Sequence, residues 1–245
     1  MSAAPLCQRS GAYSLPDENT LKKFRPERVT TMTQQVKSRQ RVADHGEVFT
    51  AEKEVKAMCD LVLPETERID SRFLEPACGD GNFLAEILTR KLAVVRRKSR
   101  RSVTDFEKNS LLAVSSLYGV DILADNVEAC RERLFALWDA EYKAVCKKDC
   151  NDNMRRSVRF ILSRNIVCGN ALTMMCVNEN AQDTNEPIVF SEWAFVMGGQ
   201  IQRKDYRFSE LLNFQTESEQ MSLDAPSDEG VFLEQSICDY RRLGE

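Results

Sequence analysis

From residue 46 onward, apolar positions along the chain alternate between two spacings. In "GEVFTAEKEVKAMCDLVL" (46–63), Val48, Val55, Met58, Cys59 and Val62 recur three, four and seven residues apart after a start signal at Thr50, which predicts a helix. "RFLEP" (72–76) then reads as a strand and "NFLAEILTRKLAVV" (82–95) as a helix. "SLYGVDI" (116–122) reads as a second strand, and "DNVEACRERLFALWDAEYKAV" (125–145) as a long amphipathic helix capped by Asp125. "RNIVCGNAL" and "PIVFSEWAF" each hold a short β-branched run of strand type. Strands alternating with helices predict an α/β fold with a doubly wound, mostly parallel sheet. The first 40 residues are polar, carry Pro5, Pro16 and Pro26 and show no apolar period, so they read as a flexible segment. The domain then spans residues 41–215, and 216–245 form an acidic C-terminal tail.

Composition narrows the function classes. At 245 residues, 42% hydrophobic and 29% charged, the chain suits one sizeable domain and carries no membrane-span pattern. Nine cysteines without a secretory leader pattern point to reduced thiols in a cytoplasm. With His45 as the sole histidine and no CxxC pair, no metal site is expected. The net charge of −4 confines any nucleic-acid footprint to a patch. The candidate is "RKLAVVRRKSRR" (90–101), where Arg90, Lys91, Arg96, Arg97, Lys98, Arg100 and Arg101 stand without an acidic neighbour; a solvated helix end is the alternative.

The candidate chemistry begins at "RFLEPACGDGNFLAEIL" (72–88). A Gly-x-Gly turn directly after a strand lets backbone approach a ligand at the carboxyl ends of the strands. The third glycine of a dinucleotide fingerprint is absent, since position 84 is Leu84. Asp121 closes the next strand, where a carboxylate accepts hydrogen bonds from a ribose diol. Asn170 follows the third strand, where an amide can meet an adenine edge.

Taken in order, these stretches resemble the adenine-specific (N6) DNA methyltransferases of restriction–modification systems. "HGEVFTAEKEVKAM" is similar to the family's N-terminal motif and "FLEPACGDGNFL" to its motif I. "YGVDILADNVEACRERL" resembles its acidic motif II and "NIVCGNAL" its motif III. A short modification-methylase-like group shares "PIVFSEW". The resemblance implies a class I S-adenosylmethionine-dependent fold, incomplete at its C-terminal strands, and S-adenosyl-L-methionine as cofactor. Residue by residue, it implies that Phe49 and Thr50 pack around the methionine moiety and that Glu75, Cys78, Gly79 and Gly81 line the motif I loop. Asp121 would bind the ribose hydroxyls, Ile122 would pack on the adenine ring, and Asn170 would take the base edge. Two positions depart from the family: Ala51 replaces a proline and Asn170 an aspartate.

The family's catalytic Asn/Asp-Pro-Pro-Tyr/Phe motif is absent. At the matching place Glu192-Trp193-Ala194-Phe195 offers an acceptor in Glu192 and a stacking ring in Phe195, without the rigid prolines; a buried strand end is the alternative. The implied function is a DNA adenine-N6 methyltransferase or modification subunit. It acts on DNA with a protein partner that supplies target recognition, and transfers slowly or not at all when alone. The alternative is a catalytically impaired, methyltransferase-like module that assembles with a restriction or specificity partner. Residues 1–31 precede Met32 and the first motif, and are expected to be dispensable.

Overall fold

Three short parallel strands frame the molecule: β1 (Phe73–Glu75), β2 (Leu117–Asp121) and β3 (Ile166–Asn170). They pair in that order, with Glu75 opposite Gly119 and Asp121 opposite Cys168. The computed structural model describes residues 50–99, 102–211 and 232–245, all within one compact unit spanning Gln35–Glu245. The segment 1–40 and the dispensability of residues 1–31 therefore lie outside the described residues.

The crossovers are helical. Before β1 come α1 (Glu52–Leu61) and the single turn α2 (Leu63–Thr66). Between β1 and β2 run α3 (Asn82–Lys98) and α4 (Val103–Ser115), and between β2 and β3 run α5 (Ala124–Cys146) and α6 (Asp152–Asn165). In α3, Leu84, Ile87, Leu88, Lys91, Leu92 and Val95 recur on one stripe, and all are buried. Ser102 caps α4 by accepting from the Asp105 N–H, and Asn151 caps α6 by accepting from the Asn153 N–H. The expected cap of α5 is displaced. Leu123 is the N-cap and Asp125 lies in the first turn, where its charge suits the helix dipole.

Past β3 the chain turns antiparallel through β4 (Met175–Val177) and β5 (Asp183–Pro187), which complete a five-stranded mixed sheet. "PIVFSEWAF" does form a strand, β6 (Val189–Phe195), but joins a separate antiparallel sheet with β7 (Gln200–Arg207) and β8 (Glu234–Asp239). The sheet thus stops at β1, which pairs only with β2 among the described residues. No helix among these residues is long and apolar enough to cross a membrane.

Alternation along β2 divides the core. Leu117 packs with the helices, among Leu84, Leu134 and Trp138, while Tyr118 and Val120 face Ile188, Phe190 and Phe208. The rings of Tyr118 and Phe190 meet edge-on at 5.3 Å. The second face is therefore covered by residues 188–208.

The expected boundary at residue 215 needs correction, because residues 232–245 are built into the domain. β8 pairs with β7 from Gln200↔Asp239 to Asp205↔Glu234. Beyond β8, Tyr240 donates to the Glu107 carboxylate at 2.8 Å, and Arg241 binds the same group through two nitrogens. Tyr142 donates to its other oxygen at 2.8 Å. Glu107 is fully buried in α4, so these partners hold its charge in the interior.

Lys91 is the second buried charge. Its Nζ donates to Ile69 O at 3.2 Å, to Ser71 O and to Ser116 Oγ, tying α3 to the approach to β1. Burial pushes the ammonium down to about 7. Below that pH both folded and unfolded chains hold the proton, and the cost of burying the charge stands in full. Between about 7 and the ordinary value of 10.5, the folded chain has released a proton that the unfolded chain still keeps, so Lys91 makes the fold more stable as pH rises. The difference in unfolding free energy between the natural chain and Lys91→Met should therefore shift in favour of the natural chain from pH 7 to pH 9.5 in urea titrations. A pH-independent difference would contradict this.

Candidate functional site

The turn Cys78-Gly79-Asp80-Gly81 leaves the carboxyl end of β1 and opens α3. Gly79 (φ 52°) and Gly81 (φ 88°) are both left-handed, a conformation that costs other residues about 1–2 kcal/mol. Three backbone bonds shape the turn: Cys78 N–H to Val120 O (2.9 Å), Gly81 N–H to Cys78 O (2.8 Å) and Ala85 N–H to Gly81 O (2.8 Å). A Cβ on Gly81 would lie 2.7 Å from Cys130 Sγ, so α5 presses directly on the turn. Gly81→Ala combines that clash with left-handed strain and should cost about 2 kcal/mol. An unchanged urea midpoint would show that the turn tolerates a side chain.

Asp121 joins the turn to the end of β2. Its Oδ2 accepts from the Gly79 N–H (2.9 Å), and its Oδ1 from the Leu123 N–H (2.9 Å) and Asn126 Nδ2 (3.2 Å). A carboxylate has about four lone-pair sites, so these three bonds leave one acceptor position. Ile122 follows directly, its carbonyl contacted by Cys168 Sγ at 3.7 Å. At the end of β3, Asn170 shapes the β3–β4 turn: Oδ1 accepts from the Leu172 N–H (3.1 Å) and Nδ2 donates to Asp183 (3.0 Å).

Because β1 to β3 are parallel, Glu75, Cys78, Gly79, Gly81, Asp121, Ile122 and Asn170 share one end of the sheet. Thr50 stands just before Ala51, the N-cap of the helix that packs on α3, and Phe49 lies outside the described residues. Burial raises the Glu75 carboxyl, opposed by a hydrogen bond from the Ala77 N–H. The Cys78 thiol is held protonated by its hydrogen bond with Cys130 and by burial, which makes it a packing group rather than a nucleophile. Asn126 and Arg133 escaped the sequence reading. Their signal was a polar residue on the stripe of α5 that also carries Val127, Cys130 and Leu134.

The catalytic assignment to Glu192 and Phe195 is not supported by their position. Glu192 pairs with Arg72, which precedes β1. The neighbouring Ser191 O accepts from Tyr118 OH (3.0 Å), and Trp193 Nε1 donates to Asn165, the last residue of α6 (3.1 Å). Phe195 packs edge-on against Tyr240 at 6.0 Å. The contacts of residues 191–193 cluster at the amino ends of the parallel strands, roughly 13 Å of strand length from Asp121. The physical reason is pairing: β6 takes its hydrogen bonds from β7 and runs away from the turn.

The basic run also needs correction. Arg90 is held by Glu86 and Asp60, each at 2.8 Å, and Lys91 is buried. Arg96 pairs with Glu141 at 3.5 Å, while Arg97 and Lys98 are exposed in the last turn of α3. Arg100 and Arg101 lie outside the described residues. Fourteen residues of helix separate Asn82 from Arg96, about 21 Å at 1.5 Å per residue, so this patch stands far from the glycine turn. Among the described residues, no group of three or more His, Cys, Asp or Glu is arranged to hold a metal ion.

No curated protein and no solved structure matches the chain. A family model does. The MmeI DNA-methyltransferase domain matches residues 49–224, from the residue before Thr50, through the glycine turn, Asp121 and Asn170, to a point beyond β7. The chain therefore belongs to the family of the MmeI DNA-methyltransferase domain, a restriction–modification methyltransferase family.

Proposed function

We propose that this chain binds S-adenosyl-L-methionine at the carboxyl ends of β1 to β3. It would serve as the cofactor-binding part of an adenine-N6 DNA methyltransferase, with a protein partner supplying target recognition and the acceptor chemistry. The observation that carries this reading is the Asp121 carboxylate, which closes the left-handed glycine turn and keeps one acceptor position at the end of β2. The donor set fits the group. Gly79 and Gly81 keep Cβ atoms out of the turn, Asp121 offers its remaining acceptor to a ribose hydroxyl, and Glu75 offers a second carboxyl to the cofactor's cationic end. Ile122 supplies an apolar side chain for the adenine ring and Asn170 an amide for its edge. The bound cofactor would supply the methyl group as a sulfonium substituent.

N6 transfer also needs acceptors for the amine hydrogens, because the amine lone pair is delocalised into the base. Among the described residues, the expected acceptor Glu192 stands at the other end of the strands. The side of β1 left unpaired among the described residues supports a partner, since a doubly wound sheet reverses its strand order there and binds its ligand there. A partner strand laid parallel to β1 would end beside the glycine turn.

Methyl transfer from tritiated cofactor to unmethylated duplex DNA tests the whole reading, with digestion to separate N6-methyladenine from methylated cytosines. The chain alone should transfer nothing above background, and addition of its partner should yield N6-methyladenine. Efficient transfer by the chain alone, abolished by Glu192→Ala, would overturn the partner requirement. The second reading, a module that assembles with a restriction or specificity partner without catalysis, is favoured by the position of Glu192; binding of that partner with no methyl transfer would establish it.

A further inference from the structure

One stripe of α5 meets the glycine turn and its clasp at three places. Asn126, Cys130 and Arg133 stand at i, i+4 and i+7, within about 60° of one another around the helix. Asn126 is 1% exposed and donates from Nδ2 to Asp121 Oδ1 at 3.2 Å. Cys130 is fully buried, with its Sγ 2.7 Å from where a Cβ on Gly81 would stand. Arg133 reaches the far side of the turn: Nη1 donates to Asn82 Oδ1 at 2.6 Å and to Asp80 Oδ1 at 3.3 Å, and Nη2 lies 3.2 Å from Asp80 Oδ2.

We infer that this stripe of α5 positions the proposed cofactor site, with Asn126 and Arg133 as positioning residues that act through Asp121 and the turn rather than on the ligand. A turn with two left-handed glycines within three residues has much backbone freedom to lose, so a fixed shape needs holds from outside itself. The structure supplies one on each side. Asp121 takes the Gly79 N–H and is itself fixed by Asn126. The Arg133 fork spans Asp80 and Asn82, the residues on either side of Gly81. A guanidinium can bridge a carboxylate and an amide at once because its donors lie in one rigid plane, which a lysine ammonium does not reproduce. Cys130 fixes the depth of the turn, since the sulfur leaves no room for Gly81 to move toward α5. When the holds are removed, the turn populates its binding shape for a smaller fraction of the time, and the apparent affinity falls by that fraction.

This inference rests on the proposed S-adenosylmethionine site, and two readouts separate the failure of one from the failure of the other. The first is calorimetric titration of the full chain with S-adenosylmethionine. Arg133→Ala should weaken binding about tenfold, Arg133→Lys should restore part of the loss, and Asn126→Ala should weaken binding about fivefold. Melting temperature should barely move in Arg133→Ala, because the side chain is 39% exposed; Arg156→Ala, an exposed arginine on α6, serves as the unaffected control. The second readout is amide hydrogen exchange of residues 79–82 without ligand, which should quicken in Arg133→Ala while exchange in β2 stays unchanged. If the natural chain binds no cofactor, the functional reading falls and exchange alone decides the positioning role. Natural affinity together with natural exchange in Arg133→Ala would overturn the inference.

Discussion

Replacing Glu107 with alanine is expected to lower the unfolding free energy by about 3–4 kcal/mol, the scale set by removing one partner from a buried charge network. The carboxylate is fully buried and takes hydrogen bonds from Tyr142, Tyr240 and Arg241, so one residue of α4 ties α5 to the C-terminal segment. Its loss leaves the protons of two buried phenols without their acceptor, although the Tyr142 oxygen still accepts from the Asn151 N–H, and it releases the arginine, which is 38% exposed and can rehydrate. That partial exposure is why the expected cost stays at the lower end of the range. For a domain of this size the change corresponds to a fall in Tm of roughly 6–16 °C. Arg242→Ala, which removes only an exposed pair with Glu245, should change stability by no more than about 0.5 kcal/mol. Equal melting of Glu107→Ala and the natural chain would show that residues 240–241 do not fasten the fold.

Much of the frame was legible in the sequence, because the strongest patterns are local. The helix expected over 82–95 runs to Lys98, and the strand expected over 116–122 is Leu117–Asp121. The helix expected over 125–145 is Ala124–Cys146. Two helices were not read from the pattern. In α4 the buried stripe includes Glu107, Ser110 and Ser115, polar residues that blur an apolar period. In α6 the buried Met154, Val158, Ile161 and Leu162 are interleaved with four arginines. The strand at 189–195 was legible as a strand, but its sheet was not, since pairing with β7 and β8 depends on long-range register.

The candidate site divides the same way. Its glycine turn and Asp121 belong to short βα connections whose geometry follows from local sequence, and they meet as the pattern implied. Glu192 was assigned by its place in motif order, and its location was set by a strand partner that motif order does not reveal. Lys91 illustrates a signal present but misweighed. It lies seven residues after Leu84 on the buried stripe of α3, so helical spacing carries the signal for its burial, whereas charge counting grouped it with the basic run.

The second large effect is expected at Asp121. Alanine there removes the acceptor for the Gly79 and Leu123 N–H groups and for Asn126, together with the one position left for a ribose hydroxyl. Loosening of the turn and loss of the ligand contact act together, so affinity for S-adenosylmethionine should fall about a hundredfold, or about 2.7 kcal/mol. Glu192→Ala should leave that affinity unchanged, because the residue lies at the opposite end of the strands. Calorimetric titration of the full chain with S-adenosylmethionine tests the central claim most directly: one saturable site is expected in the natural chain and in Glu192→Ala, with Asp121→Ala about a hundredfold weaker. Absence of binding by the natural chain, or equal affinity in Asp121→Ala, would contradict the account.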